Sequence, residues 1–440
     1  MIKAPFEPFL TRYIHEPNAW TLDHYEKRGG YEQARAALEQ APADLVKKVL
    51  ASGLRGRGGA GFPTGRKWSF LAKDTGKPTY LVINGDESEP GTFKDRYLVE
   101  FDPHQLLEGM IIAAFAIGCN HAFCYLRGEF FEGYDRLKAA LNEIKAKGYV
   151  GEKIFGSNFD LKITLVRGAG AYICGEETGM LSSIEGNRGY PKLKPPFPAV
   201  SGLFGAPTIV NNVETMCNLP HILKNGVEWY RQWGTEKSPG FKIFSISGHV
   251  NRPGNYEVPL GTPMMDMIEK YAGGVRGGKK IKAVIPGGSS TPLLTGEKIR
   301  LARMDYESIM ELGSFLGSGG ITVLDEDTDM VDALWNLMRF YHHESCGQRT
   351  PCREGTGWLE KIIERVFAGG AKGADLDLVL EITNNMRGRT ICALADAAAM
   401  PAASYISEFR PEFESKSQVE PAPVEPAPAL AGAAANGGNA

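Results

Sequence analysis

The sequence predicts a multidomain α/β protein with a Rossmann-like domain, a β-grasp-like (ubiquitin-like) domain and a C-terminal helical bundle. Three observations predict this fold class. Strand and helix patterns alternate through residues 76–238, a hairpin, a helix and further strands follow in residues 239–327, and strand signals vanish in residues 328–410. Residues 1–75 form a helical region with a glycine-rich loop. Residues 411–440 are rich in proline, alanine and glycine, which predicts a disordered tail.

Individual elements follow from periodicity and from turn residues. Helical patterns at 31–41 and 43–50 are separated by Pro42, which interrupts a helix. The α/β domain shows strand patterns at 80–84, 122–127 and 161–167 and helical patterns at 104–118, 131–147, 174–185 and 213–224. The β-grasp-like domain shows strands at 241–250, 256–258, 281–285 and 321–324 and a helix at 263–271, and the bundle shows helices at 328–343, 354–367, 375–386 and 392–408.

Composition excludes several classes of protein. Glycine supplies 53 of 440 residues but without the three-residue period of collagen, and seven cysteines are too few for a disulfide-stapled secreted domain. A formal net charge of -3 gives no general reason to expect nucleic acid or an anionic membrane as a partner. The most apolar segment, 110–119, is too short to span a bilayer, and the charged N-terminus does not resemble a signal peptide. We therefore expect a soluble, intracellular protein.

A glycine-rich loop, GLRGRGGAGFPTG, begins at Gly53 and contains a literal GxGxxG. It follows a helical pattern, whereas the Rossmann fingerprint follows a strand. Seven basic residues and no acidic one lie between Leu45 and Lys73. Glycine backbone can approach phosphate oxygens closely, so the loop predicts an anion site. A nucleotide and an RNA backbone both remain open as the anion.

An acidic turn, GDESEP, follows the first strand of the α/β domain and contains Asp86, Glu87 and Glu89. Ligands of α/β sheets bind at the carboxyl ends of the strands. Carboxylates there suit ribose hydroxyls and repel a 2′-phosphate. The turn therefore favours NADH over NADPH and disfavours RNA.

A second glycine turn, GAGAYICGEET, follows the strand at 161–167. We expect a helix to begin near Cys174 or Gly175 and its free N–H groups to offer a phosphate seat. Glu176 and Glu177 are adjacent carboxylates at this edge and are expected to be functional. Asn211 and Asn212, further along, either cap the next helix or bind a ligand.

The seven cysteines separate into two groups. Cys119, Cys124, Cys174 and Cys217 stand in apolar segments and are predicted to be core residues. Cys346, Cys352 and Cys392 stand near polar turns of the predicted bundle. By spacing alone they indicate a metal site only weakly, and with His342 and His343 nearby zinc remains open.

Six motifs in one order resemble a known family. GLRGRGGAGFPTGRKW, NGDESEPGTFKDR, GAGAYICGEET, LKPPFP, TIVNNVET and ESCGQRTPCREG closely resemble the F-type flavoprotein subunits of bacterial NADH-quinone oxidoreductase, respiratory complex I. The resemblance covers about residues 15 to 410. It implies that NADH passes a hydride to the N5 atom of FMN, which then releases single electrons to an iron–sulfur chain leading to quinone.

The resemblance also implies roles for individual residues. Gly58, Gly59 and Lys67 would hold FMN, with Asn211 and Asn212 near its phosphate. Asn84, Asp86 and Glu87 would contact the flavin ring or ribityl chain, and Tyr172, Gly175, Glu176 and Glu177 would line the flavin–nicotinamide site. Glu87 and Glu177 are its implied catalytic residues. Phe62, Phe70 and Phe197 would stack on NADH rings, with Glu89 near a ribose.

One position departs from the family pattern. The family carries C-G-x-C-x-x-C and a distant cysteine as ligands of a [4Fe–4S] cluster, whereas Arg349 stands at the second cysteine position here. Three thiolates remain, at Cys346, Cys352 and Cys392. A [3Fe–4S] cluster, a [4Fe–4S] cluster with a non-cysteine ligand, and an unstable or absent cluster all stay open. We predict a less stable cluster, whose loss spares NADH oxidation by an artificial acceptor.

The resemblance implies partners and a location. The chain would dock on a thioredoxin-like [2Fe–2S] subunit and a large iron–sulfur subunit, and would lie peripherally on the inner face of the cytoplasmic membrane. It would insert no segment into the membrane and bind no nucleic acid. Two alternatives stay open: a diaphorase subunit of an NAD-linked hydrogenase or formate dehydrogenase, and, more remotely, a zinc-stabilised RNA-binding protein.

Overall fold

The computed structural model describes residues 6–417. Four helices precede the first sheet. They are α1 (Leu22–Lys27), α2 (Glu32–Leu38), α3 (Pro42–Ser52) and α4 (Thr64–Ser69). The glycine-rich loop joins α3 to α4 and therefore follows a helix, as the sequence predicts. Within residues 6–417, no helix combines the length and apolar character that a bilayer crossing needs.

The α/β domain is built on a parallel sheet. Its elements are β1 (Tyr80–Gly85), α5 (Lys94–Phe101), α6 (Pro103–Ile117), β2 (His121–Leu126), α7 (Phe131–Ala146), β3 (Lys162–Arg167), α8 (Glu177–Ile184), β4 (Thr208–Asn212), α9 (Val213–Asn225) and α10 (Val227–Arg231). The strand order is β3-β2-β1-β4, and every neighbouring pair is parallel. Their carboxyl ends therefore meet at one edge. The sequence patterns predict no strand at β4.

The β-grasp-like domain has a mixed sheet. Its elements are β5 (Phe241–Gly248), β6 (Gly254–Pro259), α11 (Met264–Asp266), β7 (Ile281–Ile285), α12 (Gly296–Leu301), α13 (Tyr306–Glu311) and β8 (Gly320–Asp325). The order is β6-β5-β8-β7, in which the central pair β5–β8 is parallel and the outer pairs are antiparallel. This arrangement agrees with the predicted fold class.

The C-terminal bundle contains α14 (Met330–Glu344), α15 (Thr350–Phe367), α16 (Gly373–Met386) and α17 (Leu394–Ser417). The expectation that the chain becomes disordered after residue 410 is wrong for residues 411–417, which are helical and follow a kink of α17 at Phe409. Buried Phe413 anchors this last part of the helix in the core, and such packing outweighs a poor local sequence. The remainder of the predicted tail, 418–440, lies outside the described residues.

Apolar packing places helices on both faces of the parallel sheet. On one face, Leu81 and Ile83 of β1 share a core with the almost wholly buried α6. On the other face, Val82 of β1 and Phe123 of β2 share a core with residues of α14, α15 and α17. Alternate residues of a strand point to opposite faces, so β1 serves both cores. The bundle thereby covers the sheet and approaches its carboxyl edge.

Candidate flavin and nicotinamide site

A cavity of about 550 Å³ opens at the carboxyl edge of the parallel sheet. Its volume lies within the range of small-molecule and cofactor sites. Ten of the predicted site residues line it: Gly58, Gly59, Asn84, Asp86, Glu87, Glu89, Tyr172, Gly175, Glu176 and Asn212. The six that do not line it are Phe62, Lys67, Phe70, Glu177, Phe197 and Asn211.

The glycine-rich loop forms one wall of this cavity. A Cβ atom at Gly58 would lie 3.0 Å from the Cβ of Asn212, closer than most real contacts, and Gly59 has a φ of 152°. Both positions therefore favour glycine. The same loop is fixed from behind, because the backbone N–H of Arg57 donates to Thr215 Oγ1 at 2.9 Å.

The carboxylates of the acidic turn have different roles, and that of Glu87 is to cap a helix. Glu87 accepts from the backbone N–H groups of Lys94, Asp95 and Arg96 and so caps the N-terminus of α5. Burial raises the pKa of Glu87 to about 7, and the negative charge of Asp95 adds to this. These bonds satisfy helix N–H groups that would otherwise have no partner. The implied catalytic role of Glu87 therefore competes with a structural one.

Asp86 is the acceptor in this turn that is free for a ligand. Its Oδ1 accepts from Ser88 Oγ at 2.7 Å, whereas its buried Oδ2 has no hydrogen-bond partner among the described residues. Burial raises the pKa of Asp86 to about 7, against the opposing effect of the Ser88 hydrogen bond. A buried oxygen without a donor is costly unless a ligand supplies one.

Glu89 is oriented from two sides of the cavity. Its Oε2 accepts from the Tyr172 hydroxyl at 2.7 Å, and its Oε1 accepts from the backbone N–H of Ser290 at 2.7 Å. Burial raises the pKa of Tyr172 well above its usual value, and the Glu89 charge adds to this, so the phenol remains a donor. The carboxylate is thus held in place across 201 residues of sequence separation.

The second glycine turn does not provide the free helix end that we expected. A short 3₁₀ turn at Tyr172–Gly175 precedes α8, and Glu176 is the N-cap. Its carboxylate accepts from the N–H groups of Thr178 and Gly179 at 2.8 and 2.9 Å. The predicted phosphate seat is therefore filled by the protein's own carboxylate. The other member of the pair, Glu177, faces Lys194 at 2.7 Å and Lys67 at 3.3 Å.

The two asparagines have separate environments. Asn211 is buried, and its Oδ1 accepts from Trp68 Nε1 at 2.9 Å, so its side chain holds α4 against β4 instead of reaching the cavity. Asn212 lines the cavity, donates to Asp95 Oδ2 at 2.6 Å and caps α9. Asn212 is therefore the helix cap of the pair, and its binding of a ligand stays a prediction.

The three predicted stacking residues lie on the surface and outside the cavity lining. Phe62, Phe70 and Phe197 are 44%, 52% and 58% exposed, and the ring centroids of Phe62 and Phe70 are 6.1 Å apart. Exposed aromatic rings at this density are typical of binding surfaces. Stacking of these three side chains on NADH rings therefore stays a prediction.

The β-grasp-like domain and the bundle supply cavity walls that the motifs did not indicate. The additional lining residues include Gly287, Ser290, Thr291, Tyr306, Glu307 and Phe315 from the former and Leu394, Asp396 and Met400 from α17. The turn PGGSS, directly after β7, was the available sequence signal. The polar side of the cavity also includes Lys94, whose ammonium is buried and lies 2.8 Å from both Asp95 and Glu214.

These residues fit a flavin nucleotide. Because Gly58 and Gly59 have no side chain, a ligand can approach the backbone of this wall closely. Asp86 Oδ2 offers an acceptor to a ring N–H. Buried Lys94 offers positive charge beside the cavity. Several carboxylates on the same wall suit hydroxyl groups of a ribose or ribityl chain.

A second, much smaller cavity of about 10 Å³ contacts all three predicted iron ligands. Cys346, Cys352 and Cys392 line it together with Arg349. Within residues 6–417, no three histidine, cysteine, aspartate or glutamate side chains converge closely enough for a single metal ion. This disfavours zinc, whereas a cluster of several irons spans more widely separated thiolates. The other four cysteines are buried core residues, as predicted.

Comparison with known families agrees with both sites. Residues 49–221 match the Nuo51 FMN-binding domain, residues 242–331 match the SLBB domain, and residues 332–416 match the NADH-ubiquinone oxidoreductase-F iron-sulfur binding region. The cavity is thus lined by residues of all three matched regions, and the three cysteines lie in the third.

Curated F subunits are similar to this chain over most of its length. The F subunit of the Mycobacterium tuberculosis NADH-quinone oxidoreductase is 51% identical over 93% of both chains. The Rickettsia bellii protein of that name is 50% identical over 92% of this chain and 97% of its own, and the Streptomyces coelicolor protein is 49% identical over 96% and 94%. The crystal structure of an NAD+-reducing [NiFe]-hydrogenase in the H2-reduced state aligns with a TM-score of 0.82 at 35% identity, covering 94% of this chain and 67% of that one. The chain belongs to the family of NADH-quinone oxidoreductase F subunits.

Proposed function

We propose that this chain is the NADH-oxidising flavoprotein subunit of a bacterial NADH:quinone oxidoreductase. It takes a hydride from NADH onto FMN and passes electrons singly to its iron–sulfur site. The observation that carries the proposal is the cavity at the carboxyl edge of the parallel sheet, which combines a glycine wall, an unpartnered buried Asp86 oxygen and a fixed Glu89. Family membership and the match to an FMN-binding domain support it.

The residues of this cavity bind and orient the reactants. FMN, when bound, supplies two-electron acceptance from NADH and one-electron release. Hydride transfer needs no general acid, so the protein contributes mainly by aligning the two rings. Asp86 Oδ2 serves as acceptor for a ring N–H, and Glu89, held by Tyr172 and Ser290, serves as acceptor for ribose hydroxyls.

The second task is electron exit toward the iron–sulfur site. Ile173, Cys392 and Leu394 link the two cavities, because all three line both of them. Adjacent cavities with shared walls would favour one-electron transfer between a bound flavin and a cluster. Cys346, Cys352 and Cys392 supply the protein ligands of that cluster.

The chain works as one part of a larger complex. We propose that it docks on a thioredoxin-like [2Fe–2S] subunit and a large iron–sulfur subunit, and that it lies at the inner face of the cytoplasmic membrane without inserting into it. The names of its relatives support the assembly with other subunits. Pull-down with each partner expressed separately tests the two contacts, and retention of neither would contradict the assignment.

Anaerobic titration with NADH tests the function directly. Full-length protein containing FMN should lose its flavin absorbance on addition of stoichiometric NADH, and NADPH at the same concentration should act far more slowly. Dithionite serves as a control that the bound flavin is reducible. Flavin that dithionite reduces but NADH does not would refute the proposal.

One observation favours a second candidate. The structural similarity to the NAD+-reducing hydrogenase makes a diaphorase subunit of such an enzyme the alternative. The chain spans 67% of the matched hydrogenase chain, whereas it spans 97% of the Rickettsia bellii relative. Co-purification with hydrogenase subunits instead of quinone-reducing partners would favour the alternative. The zinc-stabilised RNA-binding protein gains no support from this geometry.

A further inference from the structure

The iron–sulfur region of this chain has one ligand fewer than its cluster type requires. Residues 332–416 match a [4Fe–4S]-binding region, and such clusters are normally held by four cysteine thiolates. This segment contains only Cys346, Cys352 and Cys392. All three cysteines line one small cavity. The bundle therefore holds no further cysteine that could supply the fourth ligand.

No other thiol is positioned to replace the fourth ligand. Cys174 is the nearest candidate in sequence to the cavity residue Ile173, but it is buried and packed against Gly189, where a Cβ would lie 2.6 Å from its Sγ. Cys119, Cys124 and Cys217 are buried, and all three lie in the core on the opposite face of the sheet.

The two histidines close to Cys346 in sequence do not line the cavity, and the polar side chains at positions 348 and 349, which do, are poor ligands for iron. His342 Nδ1 pairs with Glu360 at 2.5 Å, and the imidazole of His343 is 84% exposed and pairs only distantly with Glu344. Gln348 Oε1 lines the cavity as a buried amide oxygen without a partner in the described residues, and an amide is a poor ligand for iron. Arg349 stays protonated and offers no lone pair.

Arg349 occupies the position at which the family carries its second cysteine ligand. It lines the cavity and is itself exposed. We infer that Cys346, Cys352 and Cys392 alone hold the cluster of this chain, so that its fourth iron carries no protein thiolate and is exchangeable. This inference rests on the proposed iron–sulfur role of the bundle.

The expected chemistry is loss and return of one iron. A [4Fe–4S]²⁺ core that releases Fe²⁺ leaves [3Fe–4S]⁰, and transfer of one electron from that core to ferricyanide gives [3Fe–4S]⁺ and ferrocyanide. The three cysteine–iron bonds persist, and the bonds broken are those between the fourth iron and the sulfides of the core. Added Fe²⁺ and a reductant such as dithionite reverse the change.

Iron release and spectroscopy on the full-length protein test this inference. Cluster-loaded protein is treated anaerobically with stoichiometric ferricyanide, and released Fe²⁺ is measured with a colorimetric chelator alongside EPR and Mössbauer spectra. We expect loss of one iron per cluster, appearance of the [3Fe–4S]⁺ EPR signal, and selective labelling of one site when ⁵⁷Fe²⁺ is returned. A cluster that keeps all four irons under this treatment would overturn the inference.

Arg349→Cys is the matched control because it supplies a thiolate at the position of the missing fourth ligand. We expect this variant to retain its fourth iron under the same ferricyanide treatment, and we expect Arg349→Ala to lose it as the natural protein does. Equal iron retention in the natural protein and in Arg349→Cys would refute the three-thiolate site. So would a natural protein that assembles no cluster under conditions in which Arg349→Cys assembles one.

Failure of this inference is distinguishable from failure of the proposed function. Bleaching of flavin by NADH does not involve the cluster and tests the function alone. Normal bleaching together with four retained irons would overturn only the inference. Absent bleaching together with iron exchange would overturn only the assignment as an NADH-oxidising protein.

Discussion

Single side chains divide the cavity carboxylates into those committed to the protein and those available to a ligand. Glu87 and Glu176 use their oxygens to accept from helix N–H groups, whereas Asp86 keeps one buried oxygen without a partner among the described residues. An unsatisfied buried acceptor costs about 1–3 kcal/mol, which a ligand N–H can recover on binding. Asp86 is therefore the residue at which flavin affinity responds most to protonation.

FMN affinity should rise with pH and then level off. Burial raises the pKa of Asp86 to about 7, so the group is largely protonated below that value. A ligand N–H requires the carboxylate, and binding at lower pH must therefore release a proton. We expect affinity to increase from about pH 6 to about pH 8. Asp86→Asn, measured by the same fluorescence titration, should bind more weakly and show a flat profile, and a parallel slope in the variant would exclude Asp86.

Glu89 should determine the preference for NADH over NADPH. Its carboxylate is fixed by Tyr172 and Ser290, and a fixed negative charge repels a 2′-phosphate. We expect Glu89→Gln to narrow the ratio of kcat/KM for NADH and NADPH by about tenfold, which corresponds to about 1.4 kcal/mol. Glu89→Asp retains the charge and serves as control. An unchanged ratio in Glu89→Gln would move the discrimination to another residue.

Among the elements, α5 depends on the acidic turn, which the sequence predicts as a ligand site and which also caps this helix. The helix begins at Lys94, directly after the acidic turn, and Phe93 at its N-cap makes no side-chain bond. Glu87 supplies the missing cap from seven residues upstream. The helix in turn carries Lys94 and Asp95 to the cavity wall.

Removing this cap should destabilise the protein more than it changes chemistry. Glu87→Ala leaves three backbone N–H groups without their acceptor, which we expect to lower stability by about 1–3 kcal/mol, visible as an earlier denaturant midpoint. Glu87→Gln, which keeps an acceptor oxygen, should recover part of the loss. If flavin reduction by NADH falls far below normal in Glu87→Gln at unchanged FMN content, Glu87 also acts in hydride transfer.

Two further elements differ from what their local sequences indicate. Strand β4 is short and is followed without a break by α9, so its pattern merges with the helix approach. Helix α17 continues through Pro401, which normally ends a helix, and it is kinked at Phe409, two residues before Pro411. In each case pairing or packing against distant residues compensates for a weak local signal.

At the scale of the whole molecule, a buried ionic network connects the β-grasp-like domain to the glycine-rich loop and to α9 of the α/β domain. Lys242 of β5 donates to Glu214 of α9 at 3.0 Å and to the carbonyl of Arg57 in the glycine-rich loop at 3.1 Å. Burial opposes ionisation of Glu214, but the charges of Lys242 and Lys94 outweigh it and lower its pKa to about 2. The Glu214 carboxylate therefore stays charged over the physiological range of pH.

Breaking this network should loosen both the domain contact and the cavity wall. Burial lowers the pKa of Lys242 to about 7, although the Glu214 charge opposes this. Lys242→Met removes the partner of buried Glu214 and the donor to the Arg57 carbonyl, and we expect a loss of about 3 kcal/mol in stability together with faster FMN dissociation. Lys279→Met is the matched control, because Lys279 is an exposed lysine of the same domain that pairs with Asp327 at the surface. Similar thermal midpoints and FMN dissociation rates in the two variants would show that the network is dispensable.

The family resemblance implied the ten predicted residues that line the cavity. Local sequence alone is enough to predict the order of the domains, the alternation of strand and helix, the glycine-rich loop, the acidic turn and the two classes of cysteine. These features are local, because strand periodicity, glycine turns and strand-end carboxylates lie in adjacent residues. Long-range packing decides which carboxylates are left for a ligand and which distant loops complete the cavity. Ser290 meets Glu89 across 201 residues, and Lys242 meets Arg57 across 185. No local pattern encodes such contacts, because they arise only when three separately formed cores pack together.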